Sequence, residues 1–324
     1  MRAAVVDIGT NSTRLLIADV TPDGGVVEIV RRSVVTRLGA GVDAGGSLSE
    51  EGCERVISAL SEFREQIDAN APANADEEPY RNLAVMTSAV RDARNGPEFA
   101  ARVRDECGLD AHILTGEEEA RMTFLGAMSG RPGAVKPTVV IDIGGGSTEF
   151  IVGVGKTAGF HVSLPAGVVR MSERHIHGDP PRSADLQELA VDVRTVYQAG
   201  LPVQERAPVV RGIAVAGTAT SAAAIDQELD PYDPECVHGY PLLLATVELL
   251  LARLADMDEA QRRAVVGLDP SRAPTIVAGM VLLSEAMRAF DLDEVEVSEH
   301  DILHGGALSI ALQSNSVPHG SSDI

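Results

Sequence analysis

An α/β protein of two domains, each with a mixed β-sheet flanked by helices, is what this sequence predicts, and three observations carry the prediction. The chain has 324 residues, enough for two domains of ordinary size. Short runs with strand character alternate with longer stretches of helical spacing, as α/β layering requires. The strongest observation is a near-repeat: Val6-Asp7-Ile8-Gly9-Thr10-Asn11-Ser12-Thr13 recurs 135 positions later as Ile141-Asp142-Ile143-Gly144-Gly145-Gly146-Ser147-Thr148. In each copy a β-branched run enters an Asp, turns through small residues and returns as a second apolar run, Leu15-Leu16-Ile17 or Phe150-Ile151-Val152. Each copy therefore reads as strand, tight turn, strand. A duplicated hairpin points to two related domains facing each other across a cleft.

The elements between and beyond the copies follow in order. Cys53, Val56, Ile57, Leu60, Phe63 and Ile67 keep helical spacing, after a capping box expected from Ser47 to Glu50. Ala69–Glu78 reads as an exposed loop. Leu83–Ser88 and Ala111–Leu114 are short strand candidates, and Pro97 with Gly108 brackets a helix between them. Gly212–Ala216 is a small apolar strand that runs into Gly217-Thr218 and then a helix of Ala and Ser. Leu242–Leu254 and Thr275–Ala289 read as amphipathic or buried helices, and Ser314–Ile324 as a frayed tail. The domain boundary is expected within Glu119–Gly126, dividing residues 1–120 from 121–298.

Composition excludes several classes of function. With 27 basic and 48 acidic residues the formal net charge is −21, which argues against a non-specific binder of nucleic acid or anionic membranes. Aromatics are 3% with no Trp, too few for base-stacking platforms. Cys53, Cys107 and Cys236 lack metal-ligand spacing and cannot all pair, so they read as reduced thiols of a cytoplasmic protein. No apolar stretch is long enough to span a membrane, and Asp7 interrupts the position where a signal peptide would continue its apolar region.

The chemistry is carried by the two small-residue turns. Thr10-Asn11-Ser12-Thr13 and Gly144-Gly145-Gly146-Ser147-Thr148 expose backbone N–H groups and let anionic oxygens approach closely, which suits phosphate. Asp7 and Asp142 precede them at strand ends, placed to hold a hydrated Mg²⁺ that bridges phosphate oxygens; each can instead cap its own turn. Glu149 stands where the first copy has Arg14 and adds a second carboxylate; on strand alternation it shares a face with Ser147. In Thr115-Gly116-Glu117-Glu118-Glu119, a capping box and the helix dipole account for Glu117 and Glu118. Glu119 is left over, one residue deeper at the junction of the repeats, where it can activate a water for attack on phosphorus. Arg91, after Thr87-Ser88-Ala89-Val90, is either a phosphate clamp or one more surface arginine. Gly217-Thr218 makes a third small-residue turn. His175, His177 and Asp179 read as loop residues rather than a metal site, and Ser298-Glu299-His300-Asp301 as rim.

Taken together, these motifs resemble the exopolyphosphatase/guanosine pentaphosphatase family. Leu164-Pro165-Ala166-Gly167-Val168-Val169-Arg170-Met171-Ser172-Glu173, Ala216-Gly217-Thr218 and Arg272-Ala273-Pro274 fit it as well, so the resemblance runs from Met1 to about Leu312. It implies two ribonuclease-H-like domains of the actin, sugar-kinase and heat-shock-chaperone ATPase superfamily, with a site in the interdomain cleft and a C-terminal segment, about 299–313, completing the first domain. It implies Glu119 as base, Arg91 near the substrate, and Asp142 and Glu149 serving Mg²⁺, for which Mn²⁺ can substitute. A homodimer is implied too. The chain departs from the larger members in lacking extra C-terminal helical domains, and from the usual Arg-Ala-Asp wording in having Pro274.

The expected activity is Mg²⁺-dependent release of orthophosphate from the end of inorganic polyphosphate. Guanosine pentaphosphate and nucleoside triphosphates are the alternative substrates, and an actin-like protein that binds nucleotide without turnover is the rival class. The acidity is compatible with a polyanionic substrate because it lies elsewhere. Residues 49–80 hold 2 basic against 9 acidic residues and 220–324 hold 5 against 18, whereas the motif-bearing segments are close to balanced.

Overall fold

A computed structural model describes residues 1–72, 80–131 and 136–315. Most of the loop predicted over Ala69–Glu78, and the tail beyond residue 315, lie outside them. The first half builds β1 (Arg2–Ile8), β2 (Ser12–Val20), β3 (Val26–Val35), α1 (Val42–Gly45), α2 (Glu50–Ala69), β4 (Tyr80–Met86), α3 (Ser88–Asp92), α4 (Gly96–Cys107), β5 (Ala111–Ile113) and α5 (Gly116–Ala127). The second builds β6 (Thr138–Ile143), β7 (Thr148–Val154), β8 (Thr157–Leu164), α6 (Val168–His175), α7 (Ser183–Gly200), α8 (Val203–Arg206), β9 (Arg211–Val215), α9 (Ala216–Asp226) and α10 (Pro234–Val237). It continues through β10 (Pro241–Leu243), α11 (Leu244–Ala255), α12 (Glu259–Arg263), α13 (Ile276–Ala289) and β11 (Glu294–Val297), and the described residues end in α14 (Ile302–Asn315).

The strands form two sheets, ordered β3-β2-β1-β4-β5 and β10-β11-β9-β6-β7-β8. In each, an antiparallel hairpin (β1–β2, β6–β7) is extended on one side by a third antiparallel strand and on the other by a parallel one. Parallel pairing needs a crossover, supplied by α2 before β4 and by α6 to α8 before β9. This repeated meander-and-crossover is the ribonuclease-H-like arrangement. Equivalent positions follow from register: Asp7 pairs with Arg14 and Ile8 with Met86, while Asp142 pairs with both Glu149 and Val215. Asp7 pairs also with Val85, as Asp142 does with Val215, so Thr87-Ser88 and Gly217-Thr218 occupy matching positions beyond their strands, each beside its hairpin turn.

Strand alternation distributes the core. Ala4, Val6, Ile8, Leu15 and Ile17 meet Val56, Leu60, Phe63 and Ile67 of α2 on one face of the first sheet. Ala3, Val5, Leu16, Ala18 and Val20 meet Leu303, Ala307, Leu308 and Ile310 of α14 on the other, so the last helix among the described residues packs on the first strands. α5 covers the second sheet through Ala120, Phe124 and Ala127, against Val140, Ile151, Ile213 and Val215. It is continuous across residues 120 and 121 and also crosses α14. A Cβ on Gly126 would collide with the Asp301 carbonyl, and one on Gly305 with that of Met122, so two glycines let the helices touch backbone to backbone.

Three local expectations need correction. The cap of α2 is Ser49, whose Oγ accepts from Gly52 N–H at 3.1 Å, not Ser47. Leu242 and Leu243 belong to the edge strand β10 paired with β11, where Pro241 is tolerated because an edge position need not donate. β4 begins at Tyr80 rather than Leu83.

Candidate active site

The two turns close in the same way. Gly9 N–H donates to Ser12 O at 3.0 Å and Gly144 N–H to Ser147 O at 2.9 Å. The amides of Thr10, Asn11, Gly145 and Gly146 donate to no protein acceptor among the described residues, and are free to meet anionic oxygens. Val168 N–H and Val169 N–H at the start of α6 bond the carbonyls of Gly144 and Gly145, both at 2.9 Å, which turns the carbonyl side of the second loop away from the cleft. Thr10 and Ser88 join through their hydroxyls at 2.9 Å.

Between the turns lies a cavity of about 100 Å³ lined by Asp7, Glu119, Asp142 and Glu149 among others. Four carboxylates thus share one small space. Glu119 is held there because the α5 cap consumes its neighbour: Glu118 accepts from Thr115 N–H at 2.9 Å while its own N–H donates to Thr115 Oγ1 at 3.2 Å. Glu119 is 7% exposed, and its Oε2 accepts from Arg91 Nη1 at 2.6 Å. Burial pushes its carboxyl up to about 6, with Arg91 opposing. Burial likewise pushes Asp142 up to about 7, against the pull of Arg14. Glu149 is raised well above the ordinary range by burial and by the charges of Glu119 and Asp142, although Ser147 and Ser163 donate to its Oε1 at 2.5 and 2.7 Å. Asp7 is raised by burial, and Arg14 opposes.

Of the residues singled out in the sequence, Asp7, Thr10, Asn11, Ser12, Glu119, Asp142, Gly144, Gly145, Ser147, Glu149, Gly217 and Thr218 line this cavity. Arg91 reaches it only through Glu119. Gly146 lines the adjoining recess with Arg170 and Glu173. Thr13 and Thr148 turn the other way: both are fully buried, with Thr13 bonded to Thr36 and Thr148 to the Ala166 carbonyl and Tyr197. Strand alternation is the reason, since each follows a serine that faces the cleft and so must face the opposite side. His175 pairs with Asp192 at 2.9 Å, and Asp179 accepts from Arg262 and from Glu259 N–H, both at 2.8 Å.

The structure adds residues that sequence reasoning passed over. Arg14 donates to Asp7 through Nε and Nη2 at 2.9 and 2.7 Å, and through Nη1 to Asp301. Asp301, taken as rim, is 1% exposed. Arg272 lies over Gly217, where any Cβ would strike its guanidinium, and it has no carboxylate partner among the described residues. Its register opposite Asp7 could have flagged Arg14; Arg272 stood in the sequence only as part of the Arg272-Ala273-Pro274 wording with no role attached, and nothing local flags Asp301. Arg14 and Arg272 also border a larger cavity of about 730 Å³ that includes Arg31, Arg32, Tyr232 and Arg263.

Two ribonuclease-H-like sheets, paired glycine- and hydroxyl-rich turns and a carboxylate-lined cleft define an enzyme of the actin-like superfamily that acts on phosphoryl groups. More narrowly, residues 16–314 match the Ppx/GppA phosphatase family, and the chain belongs to it. It is 35% identical to Exopolyphosphatase 2 of Mycobacterium tuberculosis over 325 aligned positions, covering 96% of this chain and 98% of that one. Among solved structures, the Aquifex aeolicus Ppx/GppA family member is 30% identical, with a TM-score of 0.80 and 98% and 99% of the two chains covered. An exopolyphosphatase from Cytophaga hutchinsonii is 27% identical, with a TM-score of 0.84 and coverage of 97% and 98%.

Proposed function

We propose that the protein is an exopolyphosphatase that hydrolyses the terminal phosphoanhydride of inorganic polyphosphate and releases orthophosphate. The observation that carries this reading is the juxtaposition of a buried carboxylate, Glu119, with two turns whose amides are free for phosphate oxygens. The terminal phosphoryl lies between Thr10–Ser12 and Gly144–Ser147. Glu119, mostly ionised at neutral pH, takes a proton from water as its oxygen bonds to phosphorus and the bridging P–O bond breaks toward the departing chain. Arg91 fixes the rotamer of Glu119 and keeps it charged. Arg272, a guanidinium without a carboxylate partner, meets phosphate oxygens further along.

The donor set fits a divalent cation. Asp7 Oδ1 is buried with no hydrogen-bond partner, and Asp142 and Glu149 crowd beside it with carboxyls pushed toward protonation. Such a set suits Mg²⁺, or Mn²⁺ in its place, held by Asp142, Glu149 and Asp7 with the remaining positions left to water and substrate. When bound, the cation offsets charge on the phosphate oxygens.

The larger cavity favours one second reading, guanosine pentaphosphate, because about 730 Å³ is room for a nucleoside next to the phosphate turns. A phosphate-release assay with Mg²⁺ across short polyphosphate, long polyphosphate, guanosine pentaphosphate and ATP decides among them. Fastest release from polyphosphate is expected. Release from none of the four would favour an actin-like binding protein. Among the described residues no helix is long and apolar enough to cross a membrane. We take the protein to be cytoplasmic, since Cys53, Cys107 and Cys236 are all free thiols, as a reducing compartment keeps them.

A further inference from the structure

We propose that Glu28, His300 and His304 form a second metal site, away from the phosphate turns, that takes a borderline divalent transition ion such as Zn²⁺. Glu28 lies on β3, His300 on the connection from β11, and His304 in the first turn of α14. One ligand atom from each lies within 4.8 Å of the others. His304 is fully buried, yet neither of its ring nitrogens has a hydrogen-bond partner. Its Nε2 is 3.1 Å from Glu28 Oε1, but out of line for a hydrogen bond. A buried imidazole with two orphaned nitrogens costs stability unless something binds it.

The neighbouring bonds settle which nitrogen of His300 is available. Ser129 Oγ donates its only proton to the Gly126 carbonyl at 2.7 Å. At its 3.0 Å contact with His300 Nδ1 the hydroxyl can therefore only accept, so His300 carries its proton on Nδ1. Its Nε2 keeps a lone pair, and an imidazole whose other N–H is tied to an oxygen is the usual form of a metal-ligating histidine. The same logic removes His238, which stacks on His300 with ring centroids 4.2 Å apart. Its Nδ1 accepts from Glu299 N–H at 3.3 Å, so its proton sits on Nε2 and no lone pair is spare.

Two imidazoles and a carboxylate with room for water make a donor set that suits Zn²⁺ and is poor for Mg²⁺, which prefers oxygen. The ligands are looser than a tetrahedral edge of roughly 3.3 Å at Zn–N near 2.0–2.1 Å. His300 and His304 stack with ring centroids 4.0 Å apart and planes 24° apart, so their Nε2 lone pairs meet at one ion only once the rings turn out of that stack. The Glu28 side chain, 34% exposed, then swings toward them in exchange for its 3.0 Å bond from Arg31. Metal here would tie the first sheet to the segment that carries Asp301.

The test uses full-length protein stripped with chelator and returned to excess Mg²⁺, titrated with Co²⁺ and followed by visible absorption. One equivalent of Co²⁺ with tetrahedral bands, bleached by one equivalent of Zn²⁺, is expected for the wild type. H304Q and E28Q should lose the bands, and Zn²⁺ should raise Tm in the wild type but not in E28Q. Glu28 is not part of the core, so E28Q keeps the test decisive if H304Q fails to fold. Absence of Co²⁺ bands in the wild type, or equal bands in E28Q, would overturn the proposal.

Discussion

Asp7 faces Arg14 across the first hairpin, whereas Asp142 faces Glu149 at the equivalent position of the second. The backbones match and the charges do not. In the first hairpin the acid is bound at 2.7 Å by an arginine that also holds Asp301; in the second, two buried acids stand side by side with a third, Glu119, close by. In the first hairpin one oxygen of Asp7 is therefore closed off by the protein itself and only Oδ1 is left for a cation, while the second is short of positive charge. One repeat supplies a single free carboxylate oxygen and the other most of the demand for a cation, which shows how a duplicated element can divide the work of a single site.

The most severe break in this arrangement removes the proposed base, Glu119. E119Q keeps the shape and the contact with Arg91 but cannot take a proton, so kcat should fall by roughly 10²–10⁴-fold with KM for polyphosphate little changed. Near-normal turnover in that variant would remove Glu119 from its role. R14M attacks the closed hairpin instead. It leaves Asp7 and Asp301 buried without their partner, which should cost roughly 3–5 kcal/mol of stability, read as a lower urea midpoint at constant slope. A loss below about 1 kcal/mol would mean that the first hairpin does not depend on the pair.

The open hairpin makes a prediction of opposite character. Burial lifts Glu119 from 4.5 to about 6 and Asp142 from 3.8 to about 7. Carboxyls with raised folded-state values hold protons that the unfolded chain has already released, so stability falls as pH rises. The metal-free protein should therefore lose Tm between about pH 4 and pH 7, Mg²⁺ should restore it at the upper end, and D142N should flatten the slope. A metal-free Tm that rises through this window would contradict the crowding of acids. Activity runs the other way, because the base must be ionised: kcat/KM at saturating Mg²⁺ should climb with pH toward a plateau above about 6.

Much of this site was legible because its parts are local in sequence. The Asp-turn-strand pattern and the third acid left over by the α5 cap depend on spacings of a few residues; Gly217-Thr218, expected as a turn before a helix, instead lie in the first turn of α9. Thr13 and Thr148 were misjudged although the needed rule is equally local: once Ser147 and Glu149 share a face, Thr148 must lie on the other. What could not be read is long-range. Arg14 and Asp301 are 287 positions apart, and the packing of α14 on β1 and β2, expected only through the family resemblance, leaves no mark in the residues themselves except apolar ones that any core helix would show. Edge strand β3 was missed for a different reason, since Val27, Ile29 and Val34 stay exposed and no buried face imposes its alternation.

The smallest expected effect tests whether the two turns are set by each other. Gly145 corresponds by position to Thr10, so one turn carries a side chain where the other has none. A Cβ on Gly145 would lie 3.0 Å from Asn11 N, Asn11 Cβ and Thr10 Cβ, tighter than relaxed carbon contacts allow. The backbone of Gly145 is outside the left-handed region, so alanine is permitted there conformationally and its cost is steric. G145A should part the turns slightly and weaken substrate binding by about 1 kcal/mol, or roughly fivefold in KM, with a smaller change in kcat. T10G returns the space on the opposite side, so the G145A/T10G double variant should regain part of the loss in a double-mutant cycle. Strictly additive effects would mean that the turns do not press on each other.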